Sequence, residues 1–413
     1  MKLTTSLAAL TFLATSGLTM AQTLAITNAT VHTATQQGTL KNATVVIKDG
    51  LISAINPANL EADTIVDAKG QSLTPGIILP LSVVGLVEVG AVQSSKDHSD
   101  DKADITFDPS IAFNPTSTLI PYTRKGGITS TVITPKFSKN VYRGLNAHMD
   151  FSGELEGSEI QTQIGVYAQA GASNKGSRAF KLQTLMDKIA DRHQALETAK
   201  NKKDDKKEQK PPSKEEKILD DLLAGNKVLT VFANRASDLL HLIKFKQQYQ
   251  LKMVIAGAAD APAVAKQLAA ADVAVVISPL ENLPRDFDGR NVSLNDAATL
   301  IDAGVKVMFL EYEVHNSYQM RFLAGNAIAN GVDPEDALKV LTSNVAGAYG
   351  LDGGVIAVGK RADLVLWNGD MFDMQGYVEK MWIDGKAYST QSRHDKLRER
   401  YRHKNDMPAA YSK

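Results

Sequence analysis

The stretch "LTPGIILPLSVVGLVEVG", residues 73–90, decides how this chain is read. It leaves a polar, glycine-containing segment, turns at Pro75-Gly76 and runs into continuous apolar sequence, the pattern of a strand covered on both faces. Such a strand opens a mostly parallel sheet, so the sequence on its two sides should differ in kind.

Upstream, "LAITNATVHTA", "NATVVIKDGLISAI" and "ADTIVDAKGQSL" alternate apolar and polar residues, and Asp49-Gly50 marks a hairpin turn. A matching piece lies at the far end, "GVIAVGKRADLVLWNG" followed by "YVEKMWIDGKAY", with Asp384-Gly385 as the second hairpin signal. Neither piece has enough apolar surface to be stable alone, so residues 22–73 and 355–387 are expected to join as one composite β-sandwich. Between them, over residues 74–354, strands alternate with helices. "GITSTVIT", "VLTVFAN", "LKMVIAG", "VAVVIS" and "VKVMFLE" read as strands, while "ASDLLHLIKFKQQYQ", "APAVAKQLAAA" and "SLNDAATLIDAG" have helical spacing. No Gly-x-Gly-x-x-Gly fingerprint follows any strand. The expected fold is therefore α/β, a (β/α)8 TIM-like barrel rather than an open sheet, with any chemistry at the C-terminal ends of its strands.

Composition narrows the function classes. Among the 413 residues, 46 Lys+Arg balance 46 Asp+Glu, so no global field attracts nucleic acid or an anionic membrane. Cysteine is absent, which excludes disulfides, thiolate metal sites and a cysteine nucleophile. The start, "MKLTTSLAALTFLATSGLTMAQ", reads as a cleavable export signal over residues 1–21, because one lysine precedes a short apolar stretch and small residues stand at Thr19 and Ala21. Cleavage near Ala21 would leave a periplasmic or secreted protein, and no later segment is long and apolar enough to span a bilayer. Residues 201–212 are expected to form an exposed loop of mixed charge. The Ser213-x-x-Glu216 pattern then starts the next helix as a capping box, and residues 388–413 form a basic tail.

Taken together, residues 73–90, "RKGGITSTVITP", "VFANRASDLL", "GVKVMFLEYEVHNSYQMRFLAGNAIANGV" and "LTSNVAGAYGLDGGVIAVGKRADLVLWNGD" resemble the metal-dependent amidohydrolase superfamily, especially its exported branch similar to imidazolonepropionase. The resemblance implies the barrel and composite domain above, a zinc or other divalent ion, and hydrolysis of non-peptide carbon–nitrogen bonds. It also implies where the ligands should be. The family's Pro-Gly-x-x-Asp-x-His-x-His places them at Leu79, Leu81 and Val83. A further histidine falls on Phe232, another near Gly257, and the last-strand aspartate on Tyr312. Leu81, Val83 and Phe232 have no lone pair for a cation, and a phenol with a reference pKa of about 10 is a poor base. Glu311 and Glu313 flank Tyr312, but a one-residue slip would need a bulge to turn either inward.

Zinc lowers the pKa of bound water from about 15.7 to about 7, so losing it forfeits about 12 kcal/mol of nucleophile activation. The sequence thus favours an exported protein without a metal or other cofactor, a non-catalytic ligand-binding or partner subunit. It would form a homo-oligomer or a complex with an active amidohydrolase homologue. Two alternatives remain, a structural scaffold and a carbon–nitrogen hydrolase with a relocated metal or acid–base site. His98, His148 and His315 could approach the barrel mouth, with Glu88, Asp97, Glu311 or Glu313 beside them. His32, His193, His241, His394 and His403 are read as surface or packing residues. Asn234, Arg235 and Asn316 stand in motifs that point to the mouth and could hold a small polar ligand.

Overall fold

A computed structural model describes residues 23–171, 176–201 and 211–402. The expected export signal over residues 1–21, residues 202–210 of the charged loop and His403 lie outside the described residues.

The N-terminal strands are β1 (Thr23–His32), β2 (Thr39–Lys48), β3 (Leu51–Ile55), β4 (Thr64–Asp67) and β5 (Ser72–Pro75). Eight further strands form the barrel, β6 (Ile77–Ser82), β7 (Ile128–Ile133), β8 (Tyr142–Asp150), β9 (Glu159–Gln169), β10 (Val228–Ala233), β11 (Lys252–Gly257), β12 (Ala274–Ile277) and β13 (Val307–Phe309). The chain then returns as β14 (Leu364–Asn368), β15 (Tyr377–Ile383) and β16 (Lys386–Tyr388).

Both chain ends share one sheet, ordered β16-β15-β14-β5-β1-β2-β3 with β4 on β1. The seam is the antiparallel pairing of β5 with β14, Leu73 opposite Leu366 and Thr74 opposite Val365. Ile26, Val45, Ile52, Leu73, Leu364 and Trp382 form its apolar core, drawn from both ends of the sequence. Asp49-Gly50 and Asp384-Gly385 each hold positive φ at both residues, the tight-turn conformation that fits the twist of a hairpin. Only Gly76 separates β5 from β6, so the sheet feeds directly into the barrel.

The barrel order is β6 to β13 in sequence, a nearly closed eight-stranded sheet. Every strand candidate read from the sequence is present. One strand differs from a regular β/α alternation. β8 runs antiparallel to both β7 and β9, while the other neighbours are parallel. A parallel crossover needs about a dozen residues or more, and the connections on either side of β8, residues 134–141 and 151–158, are too short for one. In "YRGLNAHMD" Leu145, Ala147 and Met149 alternate with polar residues, a period-two strand signal that the sequence reading passed over. The Ser213 hydroxyl accepts from the Glu216 amide at 3.2 Å, and the Glu216 carboxylate accepts from the Ser213 amide at 2.7 Å, completing the capping box. Part of the basic tail is helical, Arg393–Arg402, and Asp395 ties it to Lys125 at 2.6 Å.

Candidate functional site

The first barrel strand does not present Leu79, Leu81 and Val83 on one face, as alternation predicts. Pairing of β6 with β7 is irregular between Leu79 and Ser82, and Leu81 adopts a left-handed φ of 54°. For a branched-chain residue that conformation costs on the order of 1 kcal/mol, so the strand is held there by its surroundings. The bulge sends the three side chains to three places. Leu79 packs with Ile77 in the main core, Val83 with Leu86, Val87, Ile133 and Met149 under the excursion that follows β6, and only Leu81 joins the barrel interior.

That interior is apolar. Leu81 belongs to one cluster with Ile78, Val132, Val254, Val276 and Met308, against which Phe232 and Tyr312 pack. The three positions where the resemblance puts a histidine, a histidine and an aspartate therefore touch one contiguous hydrophobic mass. Gly257 has the same logic. Its φ is 84°, and a Cβ there would lie 2.4 Å from the Asn234 Oδ1 and 2.9 Å from the Phe232 ring. A histidine at 257 is excluded by the phenylalanine and asparagine that crowd the position. Burial pushes the Tyr312 phenol pKa up, and nearby Glu281 adds to the shift. It is neutral at physiological pH, with the Arg285 guanidinium 4.9 Å from its ring centre.

The relocated-site candidates are scattered. His148 is not in a loop but within β8, and it is buried. His98 is half-buried and His315 exposed. Glu88 accepts from the Asn114 amide at 3.0 Å, and Glu311 turns back on the Glu313 amide at 3.0 Å. Among the described residues, no three His, Asp or Glu side chains are grouped to hold a metal ion. The donor set at the family's positions does not fit a divalent cation either, because Leu81, Val83 and Phe232 offer only carbon and the remaining oxygen, the Tyr312 phenol, is held neutral by burial.

The polar groups at the mouth neutralise one another. Arg178 reaches Asp238 at 3.0 Å and also pairs with Asp288, which accepts from Arg235 at 2.7 Å. Burial pushes the Asp288 carboxyl up, but the hydrogen bonds from Arg178 and Arg235 outweigh it and hold the pKa below the usual range. Arg235 is thus engaged in an ion pair. Asn234 is pressed against Gly257, and Asn316 sits half-buried in the turn Val314–Gln319.

Two features escaped the sequence reading. Lys136, just past β7, donates its ammonium to the Leu81 carbonyl at 2.9 Å, and burial brings its pKa down to about 8. His98 lies beside it, with its carbonyl accepting from the Lys136 amide at 3.1 Å and its buried Nδ1 unpartnered. Burial, Lys136 and Lys96 lower the His98 pKa to about 4. The other feature is a polar face on β7 and β8. His148 stands opposite Val132 and Asp150 opposite Ser130, so both share the inward face. The His148 Nε2 meets the Ser130 hydroxyl at 3.0 Å, and Asp150 pairs with Arg361 at 2.8 Å. Burial, then the charge of Arg361, lowers the His148 pKa to about 3. No local signal marks these partners, because they are brought together by the reversed strand and by a residue from the opposite chain end.

Comparison with known proteins bears on this geometry. Residues 216–388 match the Amidohydrolase family. A crystal structure of an amidohydrolase from Thermotoga maritima MSB8 is 26% identical, with a TM-score of 0.79 over 88% of this chain and 99% of that one. The structure of enamidase, described as a member of the amidohydrolase superfamily, is 16% identical with a TM-score of 0.53, covering 90% of this chain and 97% of its own, and shares the fold. Adenine deaminase 1 of Carboxydothermus hydrogenoformans is 41% identical over 68 residues, 16% of this chain and 11% of that protein. The chain thus spans only about a tenth of the length of that curated relative.

Proposed function

This chain belongs to the amidohydrolase superfamily, and from that premise we propose that it works without a barrel metal, as a non-catalytic ligand-binding or partner subunit. One observation carries the reading. Leu81, Phe232 and Tyr312 meet in a single apolar cluster where a hydrolase of this superfamily would assemble its ligands. A partner role has a further support at the mouth, where Leu280, Leu283 and Phe287 are 47%, 78% and 82% exposed on the segment after β12. Three large apolar side chains on one segment suit a contact with another protein, a second copy or an active homologue. The proposed compartment is the periplasm or the outside of the cell, with Gln22 as the mature N-terminus. An intact mass that retains Met1 contradicts it.

Elemental analysis after gentle purification, with a chelator-treated control, tests the metal reading. The expected result is well under one equivalent of zinc, iron or manganese. Stoichiometric metal that survives dialysis, with activity lost on chelation and regained on its return, overturns it.

A second reading, hydrolysis of a carbon–nitrogen bond through a relocated acid–base pair, rests on Lys136 and His98. Both are bases whose pKa values are lowered by burial, and they adjoin at the C-terminal end of β7. The short likeness to an adenine deaminase points to the same bond class. Turnover of a cyclic amide or aminopurine that persists in chelator and disappears in Lys136→Met would establish it.

A further inference from the structure

Outside the barrel, a cavity of about 490 Å³ opens between the composite sheet and the helix Pro334–Leu341. Its volume falls in the range of small-molecule sites. The two halves of its wall differ in chemistry. Ala34, Leu338 and Met371 are buried and apolar, while Glu335 and Asp370 stand exposed at the rim. His32 bridges the hydroxyls of Thr39 at 3.0 Å and Ser72 at 3.3 Å, and Thr39 in turn donates to Glu335 at 3.3 Å.

We propose that this cleft binds a small amphiphilic cation, a protonated amine whose apolar body lies on Leu338 and Met371 and whose ammonium faces Glu335 and Asp370. Charge complementarity decides the class of ligand. No lysine or arginine among the described residues pairs with either carboxylate, and Lys339, the one basic side chain of the lining other than His32, is tied to Asp336 at 2.9 Å. His32 does not cancel them. Its burial lowers its pKa against the opposing pull of Glu335 and Asp370, which leaves the ring neutral at physiological pH. An anionic ligand would meet two carboxylates, and a wholly polar one would leave the apolar wall in contact with water. Because the carboxylates are exposed, their attraction is screened, and binding weakens as salt rises. The site lies apart from the barrel interior and stands whether or not the barrel is catalytic.

Calorimetric titration of the full mature chain with phenethylamine, and with 2-phenylethanol as its uncharged counterpart, tests the proposal. Saturable binding of the amine at millimolar concentration is expected, tighter than that of the alcohol. Glu335→Gln combined with Asp370→Asn, both at exposed positions, should weaken the amine roughly tenfold and leave the alcohol unchanged. Thr39→Lys, which plants a fixed ammonium in the cleft, should abolish amine binding. Absence of saturable amine binding overturns the proposal, and so does amine binding that neither variant alters. The barrel metal content enters none of these readouts, so this inference and the metal-free reading fail separately.

Discussion

On the β10–β13 side of the barrel the inward residues include Phe232, Val254, Ala256, Val276 and Met308, and on the β7–β8 side they include Ser130, His148 and Asp150. Both sides are buried, but the second depends far more on polar partners. An apolar side chain is satisfied by any neighbour of suitable shape, whereas a buried histidine or carboxylate requires a donor or a counter-charge at a defined place. The comparison teaches which side of the barrel depends on defined polar partners. On the parallel side Leu81, Phe232 and Tyr312 are held by apolar packing. On the reversed strand Ser130 engages the His148 Nε2 and Arg361 pairs with Asp150. Arg361 comes from the returning segment, where it also contacts Asp363 at 3.1 Å, so the polar side of the barrel is coupled to the composite sheet.

The sharpest way to break this contrast is Arg361→Met. Removing the cation leaves Asp150 and Asp363 buried without it, and the expected loss is about 3–5 kcal/mol in urea denaturation. A loss within experimental error would mean the polar side does not depend on that partner. Leu81→Ala probes the other side and should cost about 3 kcal/mol, since a fully buried leucine leaves a cavity in close-packed surroundings. An unchanged unfolding midpoint would show the interior to be loosely filled.

His148 sharpens the comparison through pH. Its folded pKa of about 3 lies below the ordinary 6.5, so the unfolded chain takes up the proton first. The associated stability is present above pH 6.5 and is lost as pH falls towards 3, about 2 kcal/mol of it by pH 5. Denaturation midpoints at pH 7 and pH 5 should separate in the native sequence, and the gap should narrow without closing in His148→Gln, because His98, lowered to about 4, responds over the same range. The smallest effect belongs to a polar pair on the apolar side, the Thr230 hydroxyl and the Tyr349 phenol at 3.0 Å. Thr230→Val should cost about 1 kcal/mol. A loss as large as that of Arg361→Met would show that polar partners matter equally on both sides.

Much of the fold was legible because its signals are local. Apolar runs marked β10 to β13, "GITSTVIT" with its Thr and Val marked β7, the two Asp-Gly pairs marked the hairpins, and the unsatisfied half-sheets at the two ends pointed to each other. β8 was not read from the sequence, although Leu145, Ala147 and Met149 alternate with Asn146, His148 and Asp150 as in a strand, and its direction depends on the length of the connections around it. At the candidate site, the residue types at Leu81, Phe232 and Tyr312 could be read directly, and so could their lack of metal donors. That Leu79 and Val83 leave the interior could not, because a bulge at Leu81 overrides the alternation on which the reading relied. His148 was visible only as a histidine that could approach the barrel mouth.

The sequence by itself determined which chemistry the chain can offer at each position, and the order of strands, helices and turns, because composition and periodicity act over a few residues. Tertiary structure alone decided which of those groups meet. Lys136 at the Leu81 carbonyl, Arg361 on Asp150, and the cleft between His32 and Glu335 join residues 55, 211 and 303 positions apart. Such meetings depend on strand direction, bulges and the packing of one sheet on a barrel, and no local preference encodes them.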